Sequence, residues 1–361
     1  MSELELRRKC EIHFPGHRPR SPAEDFSAMA QWCEENQVGH DMYGEGELLQ
    51  AFEQKLSSLL GFEAGLFVIS GTMAQVTALR LACAERGSRL VAMHPSSHIL
   101  LHENGNFQLL DHFHALQIGS PYRPWTANDL TAIPDRLGAV IQELPMREIG
   151  GQLPDWDELE KIKAHCRTQN IHLHMDGARL WESAAAYGRS YQEIASGFDS
   201  VYVSMYKGIN GLGGAVLCGS QAFIAKARVW MARQGGNLVN RSPYVVSAAM
   251  QFDERLAAMP AYFRRTEWLY QVLREFPRLL VNPTRPQSNM LHVHLPVARE
   301  RALAIRNALA EQHGIWLFGR ASHAMLPERS YIEWYVGDNL LNMPDQQVRD
   351  ILNLFDAALK T

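Results

Sequence analysis

The sequence predicts an α/β protein: a large domain with a mostly parallel sheet between helices, then a small α+β C-terminal domain. Three observations carry that prediction. Short apolar runs at residues 66–69, 89–93, 139–144, 171–175 and 201–204 alternate with segments of helical spacing, a pattern that builds a parallel sheet covered on both faces. The runs at 171–175 and 201–204 deliver charged residues just past their ends, Asp176 with Arg179 and then Lys207. That edge of an open α/β sheet is where ligands bind. Past Leu217 the alternation stops, and 361 residues suffice for a large domain and a smaller companion.

In chain order, residues 1–45 read as an irregular N-terminal arm. Its cluster His13-Phe14-Pro15-Gly16-His17-Arg18-Pro19-Arg20 holds residues that oppose regular structure, so the arm is either a solvated tail or a strap over a site. The large domain is expected over 46–246. Leu49, Phe52, Leu56 and Leu60 recur at helical spacing, and Gly61 suits the left-handed position that ends a helix. The strand at 66–69 runs into Ser70, Gly71 and Thr72, after which Val76, Leu79 and Cys83 continue as a helix. A strand, a Gly/Ser/Thr turn and a helix N-terminus offer backbone N–H groups and a favourable dipole to a phosphate. Ser and Thr are equally at home there as ordinary N-caps.

The strand at 89–93 leads to His94, His98 and His102, whose spacing of four invites a metal site. Pro95 sits inside the helix such a site would need, and no clear acidic or thiolate fourth ligand accompanies the set, so no metal is expected. A flat imidazole at His98 stacked on a cofactor ring is the more economical role, with a hydrogen-bonded structural histidine as the plain alternative. After the strand at 139–144, Asp155 and Glu158 have capping-box spacing at a helix start.

Helices dominate from 221 to about 278, interrupted at Gly235-Gly236 and at Pro260. A strand at 290–295, a helix at 299–313, strands at 315–318 and 331–336 and a closing helix from Pro344 make up the small domain, 247–361. The boundary is expected near Ser247, within a helical connection. In Leu291-His292-Val293-His294-Leu295 both histidines share one face, as in a half-exposed strand.

Composition narrows the classes. The chain is 46% hydrophobic and 20% charged with a net charge of −4, which gives no electrostatic reason to expect nucleic acid or an anionic membrane as partner. The first ten residues lack an export signal's apolar core, and no apolar run approaches ~20 residues. The five cysteines are scattered and contain no CxxC pair, as expected of reduced thiols in the cytoplasm.

Asp176, Arg179 and Lys207 together suggest pyridoxal phosphate (PLP) chemistry. A Schiff-base lysine needs its charge suppressed by burial or by positive neighbours. A carboxylate holds the proton on the pyridine nitrogen, so that the ring draws in electrons. The carboxylate of an amino-acid substrate takes a bidentate guanidinium. Singly, Asp176 reads equally as a helix cap and Arg179 as a surface ion pair. With the Ser70 turn and a flexible GINGLGG after Lys207, they read as one site.

The segments VGHDMYGEGELLQAFEQKLSSLLG, LFVISGTMAQ, HMDGARLWES, FDSVYVSMYKG and FIAKAR resemble the threonine aldolase and β-eliminating lyase group of fold-type-I, aspartate-aminotransferase-like PLP enzymes. HMDGAR and YKG are the specific matches, and the others add collinearity over most of the first two-thirds. The resemblance implies Lys207 as the Schiff-base lysine, Asp176 at the pyridine nitrogen, Gly71 and Thr72 with Ser70 at the phosphate, and His98 on the ring. It implies Arg179 at the substrate carboxylate and Arg241 at a phosphate in the neighbouring subunit. A shared site of that kind requires a dimer or tetramer.

The departures bear on substrate. Where the family shows Glu-Asn-Thr-His-Asn, this chain has Glu143-Leu144-Pro145-Met146-Arg147, and Glu333 stands where a second carboxylate-binding arginine is expected. Arg147, Arg320 or the His17-Arg18 arm are the candidates to compensate. The expected reaction is retro-aldol cleavage of a threonine-like β-hydroxy-α-amino acid to glycine and an aldehyde, with His98 as base. Its rivals are β-elimination or another PLP lyase reaction, and a PLP-fold regulator without turnover.

Overall fold

A computed structural model describes residues 2–360. Two units emerge: a larger one of Arg20–Glu148 and Gln152–Ala257, and a smaller one made of the residues up to Pro19, Ile149–Gly151 and the chain from Ala258 onward. The division falls inside the helix Ser242–Leu273, after Ala257 rather than near Ser247. Pro260 does not interrupt this helix. Phe252, Met259, Tyr262 and Leu269 are buried along it, at ~1.5–3 kcal/mol each, which outweighs the ~3 kcal/mol that a proline costs in a helix interior.

In the larger unit, β1 (Ala64–Val68), β2 (Leu90–Met93), β3 (His114–Gln117), β4 (Ala139–Glu143), β5 (His172–Gly177), β6 (Ser200–Ser204) and β7 (Ala215–Gly219) form one sheet, in the order β1-β7-β6-β5-β4-β2-β3. Only β7 runs against the rest: it is antiparallel to β6 and to β1, and every other pairing is parallel. Two reversals leave β1 pointing the same way as β2–β6, so six strand ends open on one edge. Strands β4, β5 and β6 are buried at every position, which is why they read as continuous apolar runs. The short, partly exposed edge strand β3 carries no such run and is absent from the sequence reading.

The helix Gly71–Arg86 packs on this sheet along two stripes. Ala74, Ala78 and Leu81 meet Leu66, Val68, Tyr202 and Leu217, while Val76, Leu79 and Cys83 meet Val91, Met93 and Ile141. The helix N-terminus is thereby pinned at the ligand edge. The capping box expected at Asp155 does not form, because Glu158 Oε2 accepts from the Ala127 N–H at 3.0 Å instead.

The smaller unit holds an antiparallel sheet of β8 (Leu280–Asn282), β9 (Met290–Leu295), β10 (Ala321–His323) and β11 (Ser330–Tyr335), in the order β10-β11-β9-β8. Strand β9 is flanked on both sides, so His292 is buried rather than half exposed and packs beside the Tyr331 ring. The described N-terminal residues are not a solvated tail, and they are irregular only in part, across residues 14–20 as expected and again over 37–46. A helix spans Glu3–Lys9, Ile12–His13 pairs parallel with Ile315–Trp316, and buried Phe14 packs on Trp334.

A further helix spans Pro22–Glu35 and opens on Ser21-Pro22-Ala23-Glu24. Glu24 N–H donates to Ser21 Oγ, Ser21 N–H donates to the Glu24 carboxylate, and Pro22 sits at the first helical position. This helix buries none of its residues, and Phe26 is 58% exposed. No described helix is long and apolar enough to cross a membrane.

Candidate active site

Lys207 stands three residues past the end of β6, half-buried, with its ammonium 4.9 Å from the Tyr206 ring centre. The loop that carries it, expected to be flexible from its glycines, is tied by a series of hydrogen bonds. Met205 N–H donates to the Gly214 carbonyl at 3.1 Å, Asn210 N–H to Lys207 at 2.9 Å, Gly211 N–H back to Met205 at 2.8 Å, and Leu212 N–H to Ser247 Oγ at 3.0 Å. Gly214 has φ +86°, and a Cβ there would run into the Phe67 ring. Its lack of a side chain serves close approach, not mobility.

Asp176, 1% exposed, is the penultimate residue of β5 and lies opposite Tyr202 of β6. Its Oδ1 accepts from the Ala178 N–H at 3.1 Å, and its Oδ2 accepts from Gln75 Nε2 at 2.7 Å. Gln75 lies one turn into the helix whose first residues are Gly71 and Thr72. One helix thus supplies both a support for the acid and a positive N-terminus. Met73 N–H donates to Ser70 Oγ at 3.3 Å, while the N–H groups of Gly71 and Thr72 have no acceptor inside the helix. A Cβ on Gly71 would collide with the Tyr202 hydroxyl, so only glycine lets β6 approach this turn.

Arg241 is fully buried. Its backbone N–H and Nε face Asp41 Oδ2 at 3.2 and 3.4 Å, and Nη1 donates to the Phe67 carbonyl at 3.0 Å, just upstream of the Ser70 turn. Nη2 is buried without a partner among the described residues. Asp41 is held in turn by the N–H groups of Gly44 and Gly46.

On the other flank, Glu143 ends β4 directly opposite Asp176. It accepts from the His98 N–H at 3.3 Å and from the Arg147 N–H at 3.0 Å, which ties two loops to the acid. Burial, reinforced by Asp176, pushes its carboxyl up to about 7. His98 Nδ1 lies 3.2 Å from Glu103 Oε1, and that hydrogen bond outweighs burial to raise the imidazole above its ordinary value. Four residues on, His102 Nε2 meets Glu148 Oε1 at 2.8 Å, and Arg147 Nη1 donates to the same oxygen at 2.9 Å. The guanidinium proposed for a substrate carboxylate is therefore engaged by Glu148. His17, another candidate, pairs with Asp338 at 3.0 Å in the smaller unit.

His94 is not on the helix His98–His102. It is a buried structural residue, with Nδ1 2.7 Å from Ser96 Oγ and Nε2 facing the carbonyls of Ser120 and Arg123. Among the described residues, no group of three or more His, Cys, Asp or Glu could hold a metal ion.

The Arg179 side chain, just past β5, makes no hydrogen bond or ion pair among the described residues, and it pulls the carboxyls of Glu143 and Glu182 down. Glu182 is 6% exposed, with Oε2 unpartnered. Burial nevertheless pushes its carboxyl up to about 7, against Arg179, its own N–H and Lys207. Between the ordinary value of 4.5 and about 7 the native state binds the extra proton, so this residue makes stability fall as pH rises through that window. The full effect is about 3 kcal/mol. Glu182→Gln is expected to flatten the difference in urea-unfolding free energy between about pH 4.5 and pH 8 by up to that amount; a variant with the wild-type slope refutes this.

The donor set fits PLP. An acidic acceptor, a lysine, a glycine-walled helix N-terminus and an imidazole converge on one sheet edge, with an uncommitted guanidinium beside them.

Relatives are recognisable at this point. The beta-eliminating lyase family model matches residues 22–296. A candidate L-allo-threonine aldolase from Listeria monocytogenes EGD-E is 35% identical with a TM-score of 0.90, over 99% of this chain and 97% of its own. A structure from Exiguobacterium sp. 255-15, named as a candidate aromatic amino acid beta-eliminating lyase/threonine aldolase, is 33% identical with a TM-score of 0.91, over 98% and 99%. The low-specificity L-threonine aldolase of Escherichia coli K12 is 27% identical over 273 residues, 74% of this chain and 80% of that protein.

Proposed function

Because the chain belongs to the beta-eliminating lyase family, we propose that it is a PLP-dependent lyase that cleaves a threonine-like β-hydroxy-α-amino acid to glycine and an aldehyde. The observation that carries this reading is the shared edge itself: Asp176 is held by Gln75 from the same helix whose N-terminus faces the phosphate position, with the Lys207 loop alongside. PLP, when bound, supplies a sink for the electron pair released at Cα.

The chain's own groups do the rest. Lys207 tethers the cofactor, and the Asp176 carboxylate keeps a proton at the pyridine nitrogen. Ser70, Gly71 and Thr72 receive the phosphate, and Arg241 stiffens that turn from behind through the Phe67 carbonyl. His98, oriented by Glu103, covers the ring. Arg179 takes the substrate carboxylate. The cleavage also needs a base for the β-hydroxyl proton, a role open first to His98.

A homo-oligomer, dimer or tetramer, accounts for the helix Pro22–Glu35, which finds no burial in its own chain and leaves Phe26 exposed for a second copy to cover. Five free cysteines suit the cytoplasm.

Incubation with threonine, allo-threonine and phenylserine is expected to release glycine and the matching aldehyde. Release of a 2-oxo acid and ammonia alone would instead establish β-elimination. That second reading has a specific observation behind it: Met146, buried and apolar, occupies the place of the histidine that would handle a β-hydroxyl.

A further inference from the structure

His98 and His102 stand at the two ends of the helix His98–His102, on one face, with ring centres 5.1 Å apart. Their surroundings suit different work. His98 is clamped by Glu103, a carboxylate whose side chain is 1% exposed, and its backbone N–H is held by Glu143. If His98 covers the cofactor ring, its nitrogens would point along the imidazole plane rather than toward atoms above the ring. Its Nδ1 is in any case committed to Glu103 at 3.2 Å.

His102 is more open, with 39% of its side chain exposed. The Glu148 carboxylate at 2.8 Å holds a proton on Nε2, which leaves the Nδ1 lone pair as the acceptor. Glu148 is fixed by Arg147 Nη1 at 2.9 Å. The charged and titratable groups around His102 are thus Glu148 and Arg147 from the loop after β4, and His98 with Glu103 from its own side. A base with its orienter stands one helical turn from the ring-covering imidazole. Met146 offers no such lone pair: it is fully buried, and its N–H is committed to the Gln152 carbonyl at 2.8 Å.

We infer that His102 Nδ1 is the base that removes the substrate's β-hydroxyl proton, with Glu148 and Arg147 as its positioning residues, leaving His98 to cover the ring. This rests on the aldolase reading. As Nδ1 takes the proton, the O–H electron pair becomes the second C–O bond of the aldehyde. The Cα–Cβ bond breaks and its pair stays on the Cα side, which later gains a proton to give glycine. Solvent exposure lets His102 pass its proton to water.

The test uses holoenzyme variants and three measurements: steady-state cleavage, exchange of the glycine α-proton in D2O, and NMR of the His102 ring nitrogens, which reports where the proton sits. Glycine has no hydroxyl to deprotonate, so its exchange reports the site without the proposed step. His102→Phe is expected to lower kcat for cleavage by about 10²–10⁴-fold, with KM and glycine exchange changed by less than about threefold. Glu148→Ala removes the acceptor that holds the Nε2 proton, so the ring is expected to lose its preference for the Nε2–H tautomer and kcat for cleavage to fall by about tenfold, with glycine exchange changed by less than about threefold. Cleavage by His102→Phe within about threefold of wild type, a parallel loss of glycine exchange, or a wild-type His102 ring whose proton sits on Nδ1 overturns the assignment. A wild-type enzyme that yields no glycine from any β-hydroxy-amino acid removes the aldolase reading itself, a different failure.

Discussion

Lys207→Ala is expected to lower cleavage by at least about 10⁴-fold, a barrier increase of about 5 kcal/mol. The substitution removes the amine together with the methylenes that carry it. The surrounding loop is held by main-chain bonds from Met205, Asn210, Gly211 and Leu212, none of which uses the Lys207 side chain, so the fold should survive. Spectroscopy separates chemistry from folding. Treated with borohydride and then denatured, the wild-type chain is expected to keep cofactor absorbance on the polypeptide, and the variant to lose it. A variant that retains that absorbance, or turns over at the wild-type rate, would show that another lysine carries the cofactor.

Asp176→Asn tests charge with almost no change of shape. The asparagine oxygen still accepts from Gln75 Nε2, while its NH2 takes the place of the oxygen that accepts from the Ala178 N–H, so one local hydrogen bond is lost with the charge. What disappears is the negative charge that holds a proton on the ring nitrogen. The expected loss in kcat is about 10²–10³-fold, with the cofactor still attached through Lys207 and visible after reduction. Glu143 provides an internal check. Its carboxyl is raised first by burial and then by Asp176, so in the variant it is expected to fall part of the way back. Retention of kcat within about threefold would mean that the carboxylate is not paired with a developing charge.

The core of this site was legible because each part combines a strand with its terminal residue. The runs before Asp176 and Lys207 are mostly apolar, as befits strands buried on both faces, with His172 and His174 each bonded to Ser200 Oγ, and the Ser70 turn joins a strand to a strong helix. The supporting residues were hidden for an equally physical reason. Gln75 is a polar residue inside a helical pattern, and nothing local shows that its amide faces a carboxylate 101 positions away. Asp41 and Arg241 lie 200 residues apart and meet only when the chain is folded. Glu182 follows Trp181 without any mark of burial. The glycines after Lys207 were misread because the same composition signals freedom in an open loop and close approach in a packed one; the Phe67 ring beside Gly214 decides between them. The helix Pro22–Glu35 was missed despite its capping box because its apolar residues find no core in this chain.

Strand β1 lies at the edge of its sheet, and its sole neighbour there is β7, with Val68 opposite Ala215. On the ribosome, then, the first strand of the sheet emerges long before the segment that must pair with it. Until residue 219 has been synthesised, Leu66, Phe67 and Val68 have no ladder to join, and the turn that follows them has no fixed place. Such long-range closure slows folding and exposes apolar strand surface in the meantime. Cofactor capture is thus expected to come late in biogenesis, as a mark of a finished sheet rather than a seed for it.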